Sequence, residues 1–460
     1  MATLIEQKPL YNTLPVGQDV IFTVSNTSVV STFTSVKFIA EVHISSTFAP
    51  NPNTSTDIVG TFKTTPNNAG VGMFDFRPII ESFVNADNLA RQGSAYKGTV
   101  NTSSSNVPMH LIDKYSGNVN SMRYLFIRFK IEYIDAGNLV TTGIEDSELY
   151  QLFNGYLKYT DVLNLVGVDF GYNISNFNLS STTDSFLSNA PITQYANIND
   201  YGSLPFLAPN DNLSYIRLIY KDSTGTQIGT ENVDRLTVNG AYDSYNGYIG
   251  MNLLYFGCFP ANLQNWSTIF QALVTAGTIQ GGSIVIQAFD NVPDRISQQY
   301  IINLNCPTLK GYEPIRLTWL NQWGVWDYYT FTMKSSKTIS TKGSTYQQLA
   351  GSWNESTYRI DSFKGGKKSF RVNATEKISM NTDFVNESES EWFEELINSP
   401  EVYILKGYED VVETSSALNQ YVVPVRLTTS NYTKKTVAND KLMQYTFEVE
   451  KSKTLRTQAV

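Results

Sequence analysis

The stretch Leu317-Thr-Trp-Leu-Asn-Gln-Trp-Gly-Val-Trp-Asp-Tyr-Tyr-Thr-Phe331 decides the fold. It holds Trp319, Trp323 and Trp326, three of the six tryptophans in the chain, with Tyr328, Tyr329 and Phe331 close behind. Asn321-Gln322 and Gly324 interrupt the apolar residues at the spacing of a hairpin turn, and both flanks alternate as strands do. Leu317, Trp319 and Asn321 form one arm; Val325, Asp327, Tyr329 and Phe331 form the other. An aromatic side chain that goes inside removes ~150–250 Å² from water, so this hairpin is expected to nucleate a core. Grouped tryptophans also stack on pyranose rings, and an exposed platform for sugar is the second reading. No residue in the stretch carries catalytic chemistry.

Around that hairpin the chain has 460 residues, room for about three domains. Its composition, 41% hydrophobic and 17% charged, lets each domain bury a core. The 28 Tyr and 25 Phe, with Ser, Thr and Asn between apolar runs, favour strands joined by polar turns. Cys258 and Cys306 are too few for a disulfide framework and read as reduced core residues. The start, Met1-Ala-Thr-Leu-Ile-Glu-Gln-Lys8, lacks a basic region followed by an apolar run, so no signal peptide is expected and folding in a cytoplasm is. No apolar run approaches ~18 residues, so no membrane span is expected.

Three modules are expected: 1–200, 201–308 and 309–460. In the first, Val36, Phe38, Ala40, Val42 and Ile44 share one strand face, which puts His43 on the opposite, polar face as a surface residue. Leu125, Ile127, Phe129, Ile131 and Tyr133 alternate with Phe126, Arg128, Lys130 and Glu132, the clearest amphipathic strand in the chain. Pro78 suits a first helical position, and Ile79, Ile80, Phe83 and Val84 then face one way, predicting a short helix over 78–84. Asp75 and Glu81 flank that junction as a conceivable carboxylate pair for glycoside hydrolysis, without a cleft to place them in. The polar runs Ser45–Asp57, Asn85–Asn120 and Asn173–Asp200 read as a long loop, an arm and a linker.

The second module restarts the strand rhythm. Leu213–Tyr220 and the turn Lys221–Gly225 predict a hairpin with Gln227-Ile228, a helix follows Pro260, and Ser283–Phe289 and Gln299–Asn305 are strands. The third module holds the aromatic hairpin and one helix over 388–398. Ser388 and Glu391 fit a capping box, and Trp392, Phe393, Leu396 and Ile397 form the buried stripe before Ser399-Pro400. Strands Val402–Leu405, Tyr421–Thr428 and Leu442–Val449 complete it, with a polar hairpin tip over Ser430–Asp440. The fold class is therefore mainly β and multi-domain: two antiparallel β-sandwich-like modules, then a mixed β module with one packed helix.

Chemical motifs are sparse. The sequence has no Gly-rich phosphate loop, no His/Cys metal spacing and no Gly-x-Ser-x-Gly elbow, and His43 and His110 lie far apart. No cofactor and no enzyme activity is expected. Charge is more informative. Lys310–Met380 carries eleven Lys/Arg against five Asp/Glu, while Asn381–Glu413 carries one Lys against ten Asp/Glu. Such blocks guide contacts between subunits when they meet across an interface. The candidate inter-subunit residues are Lys364, Lys367 and Lys368 on one side and Glu389, Glu394 and Glu395 on the other. A net charge of −8 argues against nucleic acid as the main partner.

Four stretches together resemble virion structural proteins of the tailed bacteriophages of Bacteroidetes hosts, including crAss-like phages. They are Met73-Phe-Asp-Phe-Arg-Pro-Ile-Ile-Glu-Ser-Phe-Val84, Phe153-Asn-Gly155, Leu317–Asp327, and the end from Trp392 through Val423-Pro-Val-Arg426 to Lys451. The resemblance implies a tail, collar, hub or head–tail connector component, free of catalysis, located in the virion and built as a ring of six or twelve copies. Its partners would be other virion tail proteins, with nucleic acid at most as cargo through the ring. The capped helix beside a late antiparallel sheet is tail-tube-like by analogy. The alternative is a phage receptor- or carbohydrate-binding tail protein that uses the aromatic hairpin and loops. A glycan-cleaving tail enzyme is a third reading.

Overall fold

The computed structural model describes residues 3–46, 57–100, 107–158, 174–209, 212–235, 251–304, 311–353, 356–408, 420–434 and 443–459. Strands hold 49% of the residues and helices 12%, in several antiparallel and mixed sheets that do not close into a barrel: the protein is mainly β and multi-domain. Two compact units emerge, Met1–Cys306 with Leu320–Asp327, and Pro307–Trp319 with Tyr328–Val460.

The first unit begins with a sandwich. Strand Thr34–Ser45 lies between Met122–Asp135 and Ile58–Thr64 in a six-stranded sheet. Every second residue of the long strands, Phe38, Ala40, Val42, Leu125, Ile127, Phe129 and Ile131, is fully buried, because the period of two sends them all to one face. A three-stranded sheet of Leu4–Gln7, Ile21–Ser25 and Val71–Asp75 closes over that face. Phe22 and Phe74 meet Phe129 with ring centroids 5.7 and 5.8 Å apart, and Phe22 meets Tyr150 edge-on at 5.6 Å. At the edge, Thr13–Pro15 adds parallel to Tyr150–Phe153.

The outer face of the six-stranded sheet carries ion pairs, Lys63 to Glu132, Lys130 to Glu41 and Arg128 to Asp146. His43 belongs to this face, and here the structure corrects the sequence reading: its side chain is fully buried. Phe126, its cross-strand partner, packs edge-on against the imidazole at 5.7 Å, and among the described residues neither ring nitrogen has a hydrogen-bond partner. Alternation identifies the face on which a residue lies. It does not reveal whether that face is covered.

A second sandwich follows in the same unit. Its five-stranded sheet runs Thr193–Ala196, Tyr300–Leu304, Ser283–Phe289, Tyr215–Lys221, Gln227–Asp234, the first pair parallel and the others antiparallel. The expected hairpin is there, Tyr215–Lys221 against Gln227–Asp234. Two short helices, Pro260–Trp266 and Thr268–Thr275, stand where one was expected after Pro260. Opposite lie Ser203–Pro209, Met251–Gly257 and Tyr115–Gly117 in a three-stranded sheet. The Tyr115 hydroxyl spans the two layers, donating to the Val233 carbonyl at 2.7 Å and accepting from the Ile216 amide at 3.1 Å.

Tyr115 comes from the segment read as an arm, and that reading is corrected. Among its described residues, Val107, Met109, Leu111, Ile112 and Tyr115 are all buried. The run read as a linker is core as well: Leu179 and Leu187 are fully buried, and Thr193–Ala196 is a strand of the five-stranded sheet. Both runs therefore belong to the second sandwich, and the first two expected modules share one compact unit. The loop over Ser45–Asp57 falls outside the described residues at 47–56, and the tip over Ser430–Asp440 at 435–440.

The second unit is an eight-stranded sheet with helix Glu387–Asn398 packed on it. Three of the four expected stripe residues, Trp392, Phe393 and Leu396, are buried, while Ile397 is half-buried; Phe393 packs against Tyr329 at 4.9 Å and Phe447 at 5.4 Å. The cap lies two residues earlier than predicted. Asn386 accepts from the Glu389 amide at 2.9 Å and Glu389 accepts from the Asn386 amide at 3.0 Å. Asn386-x-x-Glu389 and Ser388-x-x-Glu391 fit the pattern equally well in sequence. The choice falls to Asn386 because the preceding Val385 is held extended by a bridge to Met443.

The tip of the aromatic hairpin is fixed by backbone geometry within the first unit. The Asn321 side chain accepts from the amides of Trp323 at 2.9 Å and Val325 at 3.3 Å, and donates to the Leu187 carbonyl at 3.3 Å. Gly324 sits at φ 70°, and a Cβ there would lie 1.6 Å from the Asn154 carbonyl oxygen. Gly324→Ala should therefore destabilise the protein by about 3 kcal/mol or more in urea unfolding. A variant that unfolds with wild type would contradict this turn.

Burial lowers the pKa of His43 below its ordinary 6.5, with Arg128 acting in the same direction and Glu41, Asp57 and Asp146 acting against. A group whose pKa is depressed on folding binds fewer protons folded than unfolded. Its contribution is intact above pH 6.5 and is lost as pH falls below it. Melting temperatures measured from pH 7.5 down to 5.5 should fall more steeply for wild type than for His43→Leu. Parallel profiles would show that the imidazole stays neutral or is hydrated when folded.

Candidate functional site

Among the described residues, several groups of reactive side chains have a structural use. Among the described residues no group of three or more His, Cys, Asp or Glu is arranged to hold a metal ion. Asp75 and Glu81 each have a local partner. Asp75 accepts from the amides of Val20 and Arg77, at 3.3 and 3.0 Å, while Glu81 lies 3.9 Å from the Arg77 guanidinium. Cys258 is a buried free thiol, as expected. Tyr220, Glu231 and Ser267 meet in the interior, the serine hydroxyl 2.6 Å from the glutamate. That serine is fully buried and caps helix Thr268–Thr275 by accepting from the Phe270 amide at 3.0 Å. Its hydroxyl thus serves the fold as a helix cap.

Two buried aspartates organise the segment once read as an arm. Asp87 accepts from the amides of Val119, Asn120 and Ser121 and from the hydroxyls of Ser121 and Tyr255. Its pKa is raised by burial, against the pull of these hydrogen bonds. Asp113, also raised by burial, accepts from the amides of Lys97 and Gly98, both at 2.8 Å. In each case the carboxylate takes the place of a missing strand partner for turn amides.

The hairpin tryptophans offer no platform. Trp319 and Trp326 are fully buried and Trp323 nearly so. Trp319 packs on Trp392 at 4.8 Å, Trp323 on Phe177 at 4.3 Å, and the Trp326 indole N–H donates to the Asp87 carbonyl at 2.8 Å. The core reading holds, and the sugar-platform reading of these residues is overturned by their burial.

What remains is a projecting arm that sequence reading passed over. Strands Ser335–Gln348 and Gly366–Asn381 pair antiparallel from Ser335↔Met380 to Gln348↔Gly366, about 45 Å at ~3.3 Å per residue. At the root the second strand also pairs with Thr446–Lys451, and farther out with Arg456–Ala459 up to Arg371. Beyond Arg371 the arm is a two-stranded ribbon. Ser335–Gln348 is an edge strand of the eight-stranded sheet. Its Ser, Thr and Lys side chains fit a strand exposed on both sides, a pattern without hydrophobic alternation to mark it.

The arm ends in a small built structure. Gly351-Ser352 pairs with Arg359-Ile360, close enough that a Cβ on Gly351 would lie 2.0 Å from the Arg359 carbonyl. Asp361 holds this end together: it accepts from the Ser352 hydroxyl at 2.6 Å and pairs with Lys364 and Arg359, each at 3.3 Å. The Ser352 hydrogen bond first, and then the two cations, hold its carboxyl below the ordinary carboxylate range. Around it, Leu349, Trp353, Tyr358, Ile360 and Phe363 face solvent.

The predicted contact residues fall on two elements of this unit. Lys364 is tied to Asp361, Lys368 donates to the Phe363 carbonyl, and Lys367 is exposed, all at the outer end of the arm. Glu389 serves the capping box and Glu394 pairs with Lys434, so these two are engaged within the subunit. Glu395, half-buried on the same helix, also has interactions within the chain. Among the described residues no helix is long and apolar enough to cross a membrane. No protein-family model matches this chain, and no curated protein matches it.

Trp319→Ala should cost roughly 3–5 kcal/mol in denaturant titration, because it empties a fully buried indole site. A variant that melts like wild type but no longer retains glycan on an array would reinstate the platform.

Proposed function

We propose that this protein is a structural component of a bacteriophage virion, a ring-forming tail, hub or connector subunit without catalytic turnover. The observation that carries the reading is the arm. An arm about 45 Å long, two-stranded only beyond Arg371 and ending in exposed aromatic side chains, suits contact with another subunit. The resemblance of four stretches to phage virion proteins supports the same reading. So does the use of Asp75, Asp87, Asp113 and Ser267 as hydrogen-bonding elements of the fold.

Native mass spectrometry and negative-stain microscopy of concentrated protein should reveal one closed oligomer, of six or twelve subunits. A chain that stays monomeric at every concentration, and inside the particle, would sink the reading. Incubation with host capsular polysaccharide should release no reducing ends, with or without Asp75→Asn and Glu81→Gln. Sustained release abolished by one carboxylate substitution would make it an enzyme.

A further inference from the structure

Among the described residues, the outer end of the arm exposes a group of large apolar side chains. Leu349, Trp353, Ile360 and Phe363 are 70%, 78%, 76% and 72% exposed, and Tyr358 and Phe370 about half. Scattered singly, such side chains would be unremarkable. All six lie between Leu349 and Phe370 at the outer end of the arm, and a group of exposed large apolar side chains in one region marks a contact surface. The patch is held in shape in the isolated chain by Asp361, by the Asp361 amide donating to the Ala350 carbonyl at 3.0 Å, and by the Lys364 amide donating to the Asp361 carbonyl at 3.0 Å. A preformed aromatic anchor loses little freedom on binding, which is the property of interface hot spots.

We infer that this tip docks onto a second copy of the chain, on the acidic surface around helix Glu387–Asn398. The inference rests on the assembly reading above and names the contact that makes it. Charge selects the occupant. Lys334–Lys377 carries nine Lys/Arg against three Asp/Glu, a balance of +6, which from a chain total of −8 leaves −14 on the remainder. The arm is thus a cationic element on an anionic protein. At its end stand Arg359, Lys367, Lys368 and Arg371; the solvent side of the helix presents Glu387 and Glu391. An anionic bilayer would also attract an aromatic and basic tip, but it would repel the −14 of the remaining chain. A second copy offers the complementary sign on a protein surface. Because the donor tip and the acceptor helix are different surfaces, the contact is heterologous, and it closes into a ring when its rotation allows. Aromatic anchoring supplies affinity there, and the charges set register.

The test uses full-length protein and two kinds of variant. Trp353→Ala with Phe363→Ala should leave the melting temperature unchanged and weaken self-association ~30-fold or more in sedimentation velocity. Lys367→Glu and Glu391→Lys should each weaken it several-fold, and the double charge swap should restore it. Tip variants that assemble like wild type would overturn the inference while leaving the assembly reading intact. A wild type that never assembles would remove both. Vesicles of phosphatidylglycerol complete the test: flotation of wild type that is lost in the tip variants, with assembly retained, would assign the tip to lipid instead. A charge swap that fails to restore association would remove the helix as acceptor.

Discussion

The first unit depends on a chain of hydrogen bonds that runs through two residues, Trp326 and Asp87. The indole N–H holds the Asp87 carbonyl, and the Asp87 carboxylate gathers three consecutive amides of Val119–Ser121 and the Tyr255 hydroxyl. A buried carboxylate with so many donors is tolerated only when all of them are present; removing a partner leaves charge or amide unsatisfied at a cost of several kcal/mol. The hairpin tip is held in its turn by Asn321 and by the close approach of Gly324 to Asn154. Polar groups, more than apolar area, therefore dictate where the irregular segments of this unit go.

That dependence explains what could be read from the sequence and what could not. Segments that obey a period were legible: Thr34–Ser45, Met122–Asp135 and Ser283–Phe289 alternate or run apolar, and the stripe Trp392, Phe393, Leu396 marks its helix. The stretches over Asn85–Asn120 and Asn173–Asp200 look like linkers because Ser, Asn, Gly and Asp dominate them. They enter the core because Asp87, Asp113, Asp184 and Asn262 satisfy their amides and carbonyls one by one. Composition does not contain that information, since it concerns which donor meets which acceptor, several of them far apart in the chain.

The candidate surface was half legible for a related reason. A basic block followed by an acidic block is plain in the sequence, and its lysines do lie at the end of the arm. Which of them are available depends on Asp361 and on the cap of the helix, and these were not visible. The aromatic tip was missed because the strands leading to it expose both faces. Their Ser/Thr-rich pattern resembles a loop until the register from Ser335↔Met380 to Gln348↔Gly366 is seen.

The Trp326–Asp87 bond also has a consequence in time. Its partners are 239 residues apart, and the Tyr255 hydroxyl that reaches the same aspartate is 168 residues away from it. On a ribosome adding ~5–20 residues per second, Trp326 follows Asp87 by roughly 10–50 s. Throughout that interval the first unit has Asp87 without its last partner and an unfinished second sandwich. Its nascent form is an incomplete fold with exposed strand edges, and its concentration is set by translation rate. Completion of the unit, and with it protection from aggregation, waits for the hairpin that lies two thirds of the way along the chain.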